Sequence, residues 1–266
     1  MLYAVIINCE LLITFPSKKY HYMKIIPLSE GSFTVDASKK FVPFNNAEDE
    51  LQERNRGSLL VGIQPFVIIT QNDIVLLDTG LGLFDESNQF QIYKNLKANG
   101  IYPDDVTKVV MSHLHKDHIG GLVNPFTRQL SFEQATYYVH KRELEYALEQ
   151  GNPSYETESI EILKNADQLQ LVDGDSGNIN GYIFYEITAA HSKYHQVIWL
   201  KEGGQTLFYG ADDASQLKQM RRRFAAKYDY DGKKADTLRE KWWQQGNEEG
   251  WKFLFYHDVK HPVYPE

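Results

Sequence analysis

Ser112-His113-Leu114-His115-Lys116-Asp117-His118-Ile119-Gly120-Gly121 places three histidines and an aspartate in one short stretch, directly after the apolar run Val109-Val110-Met111. A core does not accept so much imidazole, and a solvated loop has no need of such tight spacing. On extended backbone, alternate side chains point the same way, so His113 and His115 share a face. Asp117 and His118 follow where the chain should turn into a helix, and Gly120-Gly121 allow close backbone approach there. Neutral imidazole with carboxylate suits zinc, iron or manganese. The same-side histidines and the Asp-His pair can serve two neighbouring ions. A mononuclear site would use three of these four groups and keep one position open for water.

The surroundings fit a site of this kind. Residues 73–80 read as a buried strand ending in the polar turn Asp78-Thr79-Gly80. Residues 87–99 have helical periodicity through Phe90, Tyr93 and Leu96, and stop at Gly100. Residues 106–111 read as the next strand, with the histidine stretch at its C-terminal end. That order of strand, helix, strand and polar loop puts the loop where open α/β sheets carry their sites. Strands are expected at 25–28, 32–35, 60–70, 74–78, 136–140, 181–188, 196–201, 206–210 and 251–256, and helices at 141–150 and 233–245. No repeat or low-complexity linker interrupts the pattern. Periodicity alone gives an α/β class.

Composition narrows the function. A chain of 266 residues with 42% hydrophobic content can bury a large two-layer core. The single cysteine, Cys9, excludes an intramolecular disulfide framework and a cysteine-based zinc site, and its apolar setting reads as a buried thiol. Residues 2–15 are apolar but interrupted by Asn8 and Glu10, too short and too polar to span a bilayer. No basic residue precedes them and no clean cleavage site follows, so a cytoplasmic protein without a membrane partner is expected. The net charge is −8. Arg221-Arg222-Arg223, with Lys218 and Lys227, reads as a solvated helix face, and without a broader basic stripe nucleic acid is not expected as a partner. Trp242-Trp243 and Trp251 read as packing. His21, His140 and His261 fall in no pattern.

His113-Leu114-His115-Lys116-Asp117-His118, together with Leu77-Asp78-Thr79-Gly80, resembles the metallo-β-lactamase superfamily. Three later positions extend the resemblance: Ala190-His191-Ser192-Lys193-Tyr194-His195, Thr206-Leu207-Phe208-Tyr209-Gly210-Ala211-Asp212-Asp213, and Phe253-Leu254-Phe255-Tyr256-His257-Asp258. The likeness runs from about Gly31 to Asp258. Glu53-Arg54-Asn55-Arg56 and His257-Asp258 are similar to the subgroup of acyl-homoserine-lactone lactonases and methyl-parathion-type hydrolases. In two places the chain departs from that subgroup. The usual Gly-Asp appears as Gly210-Ala211-Asp212-Asp213, with Asp212 favoured over Asp213 as the bridging carboxylate. The tyrosine that many lactonases carry three residues beyond that position is replaced by Ser215.

The resemblance implies a four-layer αβ/βα sandwich over residues 23–266, with 1–22 as an N-terminal extension. It implies two divalent metal ions, zinc first, with iron, manganese or cobalt as alternatives. His113, His115 and His191 would hold one, Asp117, His118 and His257 the other, with Asp212 bridging. A water between two such cations becomes acidic enough to supply hydroxide near neutral pH. The expected activity is hydrolysis of a small-molecule ester, lactone or phosphotriester, with Asp117 also orienting the nucleophile. The alternatives are a phosphodiesterase or nuclease of the same superfamily and a non-hydrolytic metal-binding relative. Asp78 would either fix a metal-bound histidine or cap a turn. His195 would contact substrate, support a ligand or simply pack. Arg54 and Arg56 would serve an ion pair or the substrate. The substrate wall is expected from 41–51, 122–132 and 214–234, and a homodimer is left open.

Overall fold

Two six-stranded sheets lie face to face in a computed structural model that describes residues 23–266. The first has the order Lys24–Pro27, Phe66–Ile69, Ile74–Leu77, Lys108–Val110, Thr136–His140, Leu169–Val172. The second runs Ser176–Ile179, Ile183–Ile187, Gln196–Glu202, Gln205–Tyr209, Lys252–Leu254, Val263–Tyr264. Alternation along the strands sorts their side chains into three apolar layers. Val67, Leu76 and Val109 face helix-side residues such as Ile92, Leu96 and Leu144. Phe66, Val75, Leu77 and Val110 point the other way, against Ile198, Leu207, Tyr209 and Leu254 of the second sheet. Val197, Phe208 and Phe253 then face outward onto Trp242 of helix Gly232–Glu249. Three apolar layers separate four structural layers, so the fold is the αβ/βα sandwich.

Trp242, Trp243 and Trp251 pack around Phe208 and Phe253, as expected of core residues. The extension 1–22, with Cys9 and His21, lies outside the described residues. Among the described residues, no helix is long and apolar enough to cross a membrane.

Several boundaries differ from expectation for local reasons. The run 60–70 is two strands, Leu59–Ile63 and Phe66–Ile69, because Pro65 has no N–H to continue a ladder. Leu59–Ile63 pairs instead with Gly31–Val35 in a separate three-stranded sheet with Phe41–Pro43. The helix expected from residue 87 begins at Gln91. The Asp85 carboxylate accepts the N–H groups of Ser87 and Gln89, both at 2.9 Å, and holds that stretch as a turn. The helix expected at 233–245 covers Gly232–Glu249: the Asp231 side chain caps its start at Lys234 N, and Gly250 in the left-handed region ends it. Helix Thr157–Lys164 and strands Leu169–Val172 and Ser176–Ile179 were not expected. Each strand has a single buried residue, and neighbouring strands supply the pairing.

Candidate metal centre

Four strands deliver the site from their C-terminal ends. Lys108–Val110 leads into His113–His118, Ile183–Ile187 into His191, Gln205–Tyr209 into Asp212, and Lys252–Leu254 into His257. Leu114 is fully buried, and its N–H donates to the Glu143 carboxylate at 2.9 Å, which leaves His113 and His115 together on the other side. Burial pushes the Glu143 carboxyl up to about 7. The short helix Lys116–Ile119 then presents Asp117 and His118. A Cβ on Gly120 would meet the Leu81 carbonyl, and one on Gly121 the Thr79 carbonyl, so this turn requires glycine at both positions.

The expected residues converge. His113, His115, His191 and Asp212 offer atoms within 4.8 Å of one another, and so do Asp117, His118 and His257. Asp212 lies between the groups. Its Oδ2 is 3.1 Å from His191 Nε2 and 3.9 Å from His113 Nε2. Its Oδ1 is 2.9 Å from His257 Nε2 and 3.2 Å from His118 Nε2. Asp117 Oδ2 is 3.6 Å from His257 Nε2 and 3.9 Å from His118 Nε2.

Hydrogen bonds on the outer side of the rings show what the inner nitrogens are for. His118 Nδ1 donates to Asp78 at 2.8 Å, His191 Nδ1 to Asp229 at 3.0 Å, and His257 Nδ1 to the Gly62 carbonyl at 2.7 Å. Ser112 Oγ gives its proton to Asp78 and so accepts from His113 Nδ1 at 3.0 Å. With Nδ1–H fixed outward, the ring nitrogen left to ligate is Nε2, and in these rings it is turned toward its neighbours and toward the Asp212 carboxylate. His118 Nε2 and Asp212 Oδ1 are buried without a hydrogen-bond partner. Lone pairs facing a carboxylate repel unless a cation lies among them, so the donor set fits divalent metal.

The electrostatics agree. Burial, followed by the neighbouring imidazoles, holds His113 and His115 well below the usual histidine range, in the neutral form that ligates. At His118 burial opposes charge, but the carboxylates of Asp212, Asp78 and Asp117 outweigh it and raise the pKa well above normal. Burial would raise Asp212, yet the imidazoles around it hold it well below the carboxylate range. The centre therefore draws positive charge.

Other residues have distinct places. Asp213 faces away from the centre: its carboxylate lies 3.0 Å from His195 Nδ1 and accepts the His191 N–H at 2.7 Å. His195 Nε2 in turn accepts from Asp212 N at 3.3 Å, so His195 supports the bend that carries Asp212 and does not reach substrate. Asp78 does more than cap a turn, since His118, Ser112 and Tyr209 all bond to its carboxylate. His140 caps helix Lys141–Gln150, and His261 is exposed at the surface. Sequence reasoning missed Asp229, which lies 38 positions beyond His191 and carries no local signal. It also missed Tyr256, whose hydroxyl donates to the Asp117 carbonyl at 2.6 Å and whose ring stacks on His118.

A cavity of about 840 Å³ opens onto His115, Asp117, His191, Asp212 and His257. Its wall comes from Val35–Phe41, from 54–61 and from 215–228. The expected stretch 122–132 does not reach it: Val123, Leu130 and Phe132 are buried in the first core layer, and Phe126 packs on Phe84. Arg54 lines the cavity. Ser215 lines it as well, and Tyr228 faces His191 with ring centres 6.2 Å apart.

Residues 61–240 match the model of the metallo-beta-lactamase superfamily, and the chain belongs to that superfamily. An N-acyl homoserine lactonase, AttM of Azorhizobium caulinodans, is 48% identical over 52 residues, which span 20% of this chain and 17% of that protein's length. Among solved structures, a probable metal-dependent hydrolase from Staphylococcus aureus superposes with a TM-score of 0.73 at 20% identity, covering 91% of each chain. AidC, a dizinc quorum-quenching lactonase, gives 0.68 at 20% identity, covering 91% of this chain and 89% of its own. An N-acyl homoserine lactone hydrolase with N-hexanoyl-L-homoserine at its catalytic metal centre gives 0.63 at 20% identity, covering 92% and 97%. These likenesses establish the fold.

Proposed function

We propose that the protein is a metal-dependent hydrolase with a dinuclear centre acting on a small ester, lactone or phosphotriester. One observation carries this reading: Asp212 turns one carboxylate oxygen to His191 and His113 and the other to His118 and His257. His113, His115 and His191 would hold one ion, Asp117, His118 and His257 the second, and Asp212 would reach both. Zinc suits this set, and iron, manganese and cobalt are accepted by the same donors. When bound, such ions acidify water and polarise a substrate oxygen.

The chain supplies the rest. Asp78, Asp229 and the Gly62 carbonyl fix ring orientations. Asp117, beside the cavity and next to His257, orients the attacking water. Tyr228 takes the part of the tyrosine missing at Ser215: it lines the cavity and faces His191, and its phenol, protonated near neutral pH, can donate to a substrate carbonyl. The cavity has the size of a small-molecule site. The named lactonases among the similar proteins favour a lactone or ester within this class.

The test is a panel of acyl-homoserine lactones, paraoxon-type triesters, aryl esters and bis-aryl phosphate diesters, applied to stripped and reloaded protein. Metal-dependent turnover of the first three kinds supports the reading, and turnover of the diester alone transfers it to the phosphodiesterase class.

A further inference from the structure

The chain as a whole is acidic, yet its cavity is lined with positive charge. Lys39, Arg54, Lys116, Lys218, Arg222 and Lys227 all line it, and among the described residues none of the six pairs with a carboxylate. The carboxylates in the lining are Asp36 and the site residues Asp117 and Asp212. Net charge over the whole chain is −8. Divalent ions at the centre would more than offset Asp117 and Asp212, so the cations at the rim are not needed to balance them.

The basic run 221–223 is also not one solvated face. Arg221 stacks on Trp243 and Tyr264, with its guanidinium 5.7 and 4.9 Å from the ring centres. Arg223 is held by Asp236 and Glu240, each at 2.6 Å. Arg222, between them, is left to the cavity with Lys218 and Lys227. The segment bearing these cations is anchored. Leu217 N donates to Asp258 at 2.9 Å, Phe224 N to Asp236 at 2.8 Å, and Arg239 donates to the Asp213 carbonyl at 2.8 Å and also to the Phe224 carbonyl. The same segment ends in Asp229, the partner of His191. Like charges held together at the mouth of a low-dielectric cleft focus a field that attracts an anion.

We propose that the substrate carries an anionic group, carboxylate or phosphate, remote from the bond that is cleaved, and that Lys218, Arg222 and Lys227 form its subsite. This rests on the hydrolase reading of the metal centre. It makes the substrate an acidic ester or lactone and separates it from neutral phosphotriesters.

The experiment compares three para-nitrophenyl esters of matched chain length, one ending in methyl, one in carboxylate and one in phosphonate. A parallel arm measures calorimetric binding of the carboxylate-bearing para-nitroanilide to the metal-loaded protein. The expected preference in kcat/KM for an anionic ester over the neutral one is about tenfold, the scale of a few partly screened charge contacts. The ratio should fall toward one in the triple variant Lys218→Gln, Arg222→Gln, Lys227→Gln and with rising salt, while Lys97→Gln, on a remote helix, keeps it. Carboxylate favoured over phosphonate, or the reverse, names the anion. Equal turnover of all three esters, or an equal loss on all three in the triple variant, overturns the subsite and leaves the hydrolase reading standing. Binding of the anilide that weakens in the triple variant, without turnover of any ester, supports the subsite and removes the hydrolase reading. Absence of both turnover and charge-dependent binding removes both.

Discussion

The Asp78 carboxylate accepts the Nδ1–H of His118 at 2.8 Å, and neither side chain is exposed. Asp78 holds φ at +56°, a region few residues enter, where its side chain also gathers Ser112 and Tyr209. Asparagine tolerates that backbone, so Asp78→Asn removes the charge without breaking the turn. Metal affinity should fall about 10–100-fold, the usual effect of losing a partner behind a metal-bound histidine. Chelator competition measures it, and unchanged affinity would reduce Asp78 to a turn residue.

Asp212 and Asp213 are adjacent and should behave in opposite ways. Asp212→Ala should strip the metal while the apo chain keeps its fold. Asp213→Ala should leave the buried His195 without its partner and cost about 3–5 kcal/mol of stability. Metal analysis and thermal melts of both variants decide the matter. Loss of metal in Asp213→Ala alone would reverse the assignment.

Tyr228→Phe should lower kcat/KM about 100–1000-fold, the effect of removing one donor to a developing oxyanion, with metal content intact. A full-rate Tyr228→Phe enzyme would leave the phenol as a wall only.

Glu30 gives a pH prediction away from the metal. Burial raises its carboxyl to about 7 from 4.5, against the pull of the backbone N–H groups of Leu81, Leu83 and Gly82. A carboxyl whose pKa is raised on folding favours the folded state most at low pH. That contribution is full below pH 4.5 and is lost as pH rises toward 7. Across that window it removes at most about 1.4 kcal/mol per pH unit. Glu30→Gln should flatten the fall of Tm in this range, and an unchanged profile would show that Glu30 does not cause it.

The sequence revealed the residues that chemistry constrains most. The spacing of His113, His115, Asp117 and His118 pointed to metal, and the resemblance to the metallo-β-lactamase superfamily led to His191, Asp212 and His257. Strands such as Thr136–His140 were legible because aromatic and β-branched residues dominate them. Residues whose role depends on distant partners were not. Nothing local marks Asp229 as the partner of His191, or Glu143 as the acceptor for Leu114. The basic run 221–223 read as a solvated face because only tertiary packing shows Arg221 on aromatic rings and Arg222 at the cavity.

The most direct test of the dinuclear reading is a titration of chelator-stripped protein with zinc, following bound metal and ester hydrolysis together. Turnover should be absent in the stripped chain and rise to a maximum at two equivalents, and Asp212→Ala should abolish the rise. Full activity without metal, or saturation of both binding and turnover at one equivalent, would contradict it.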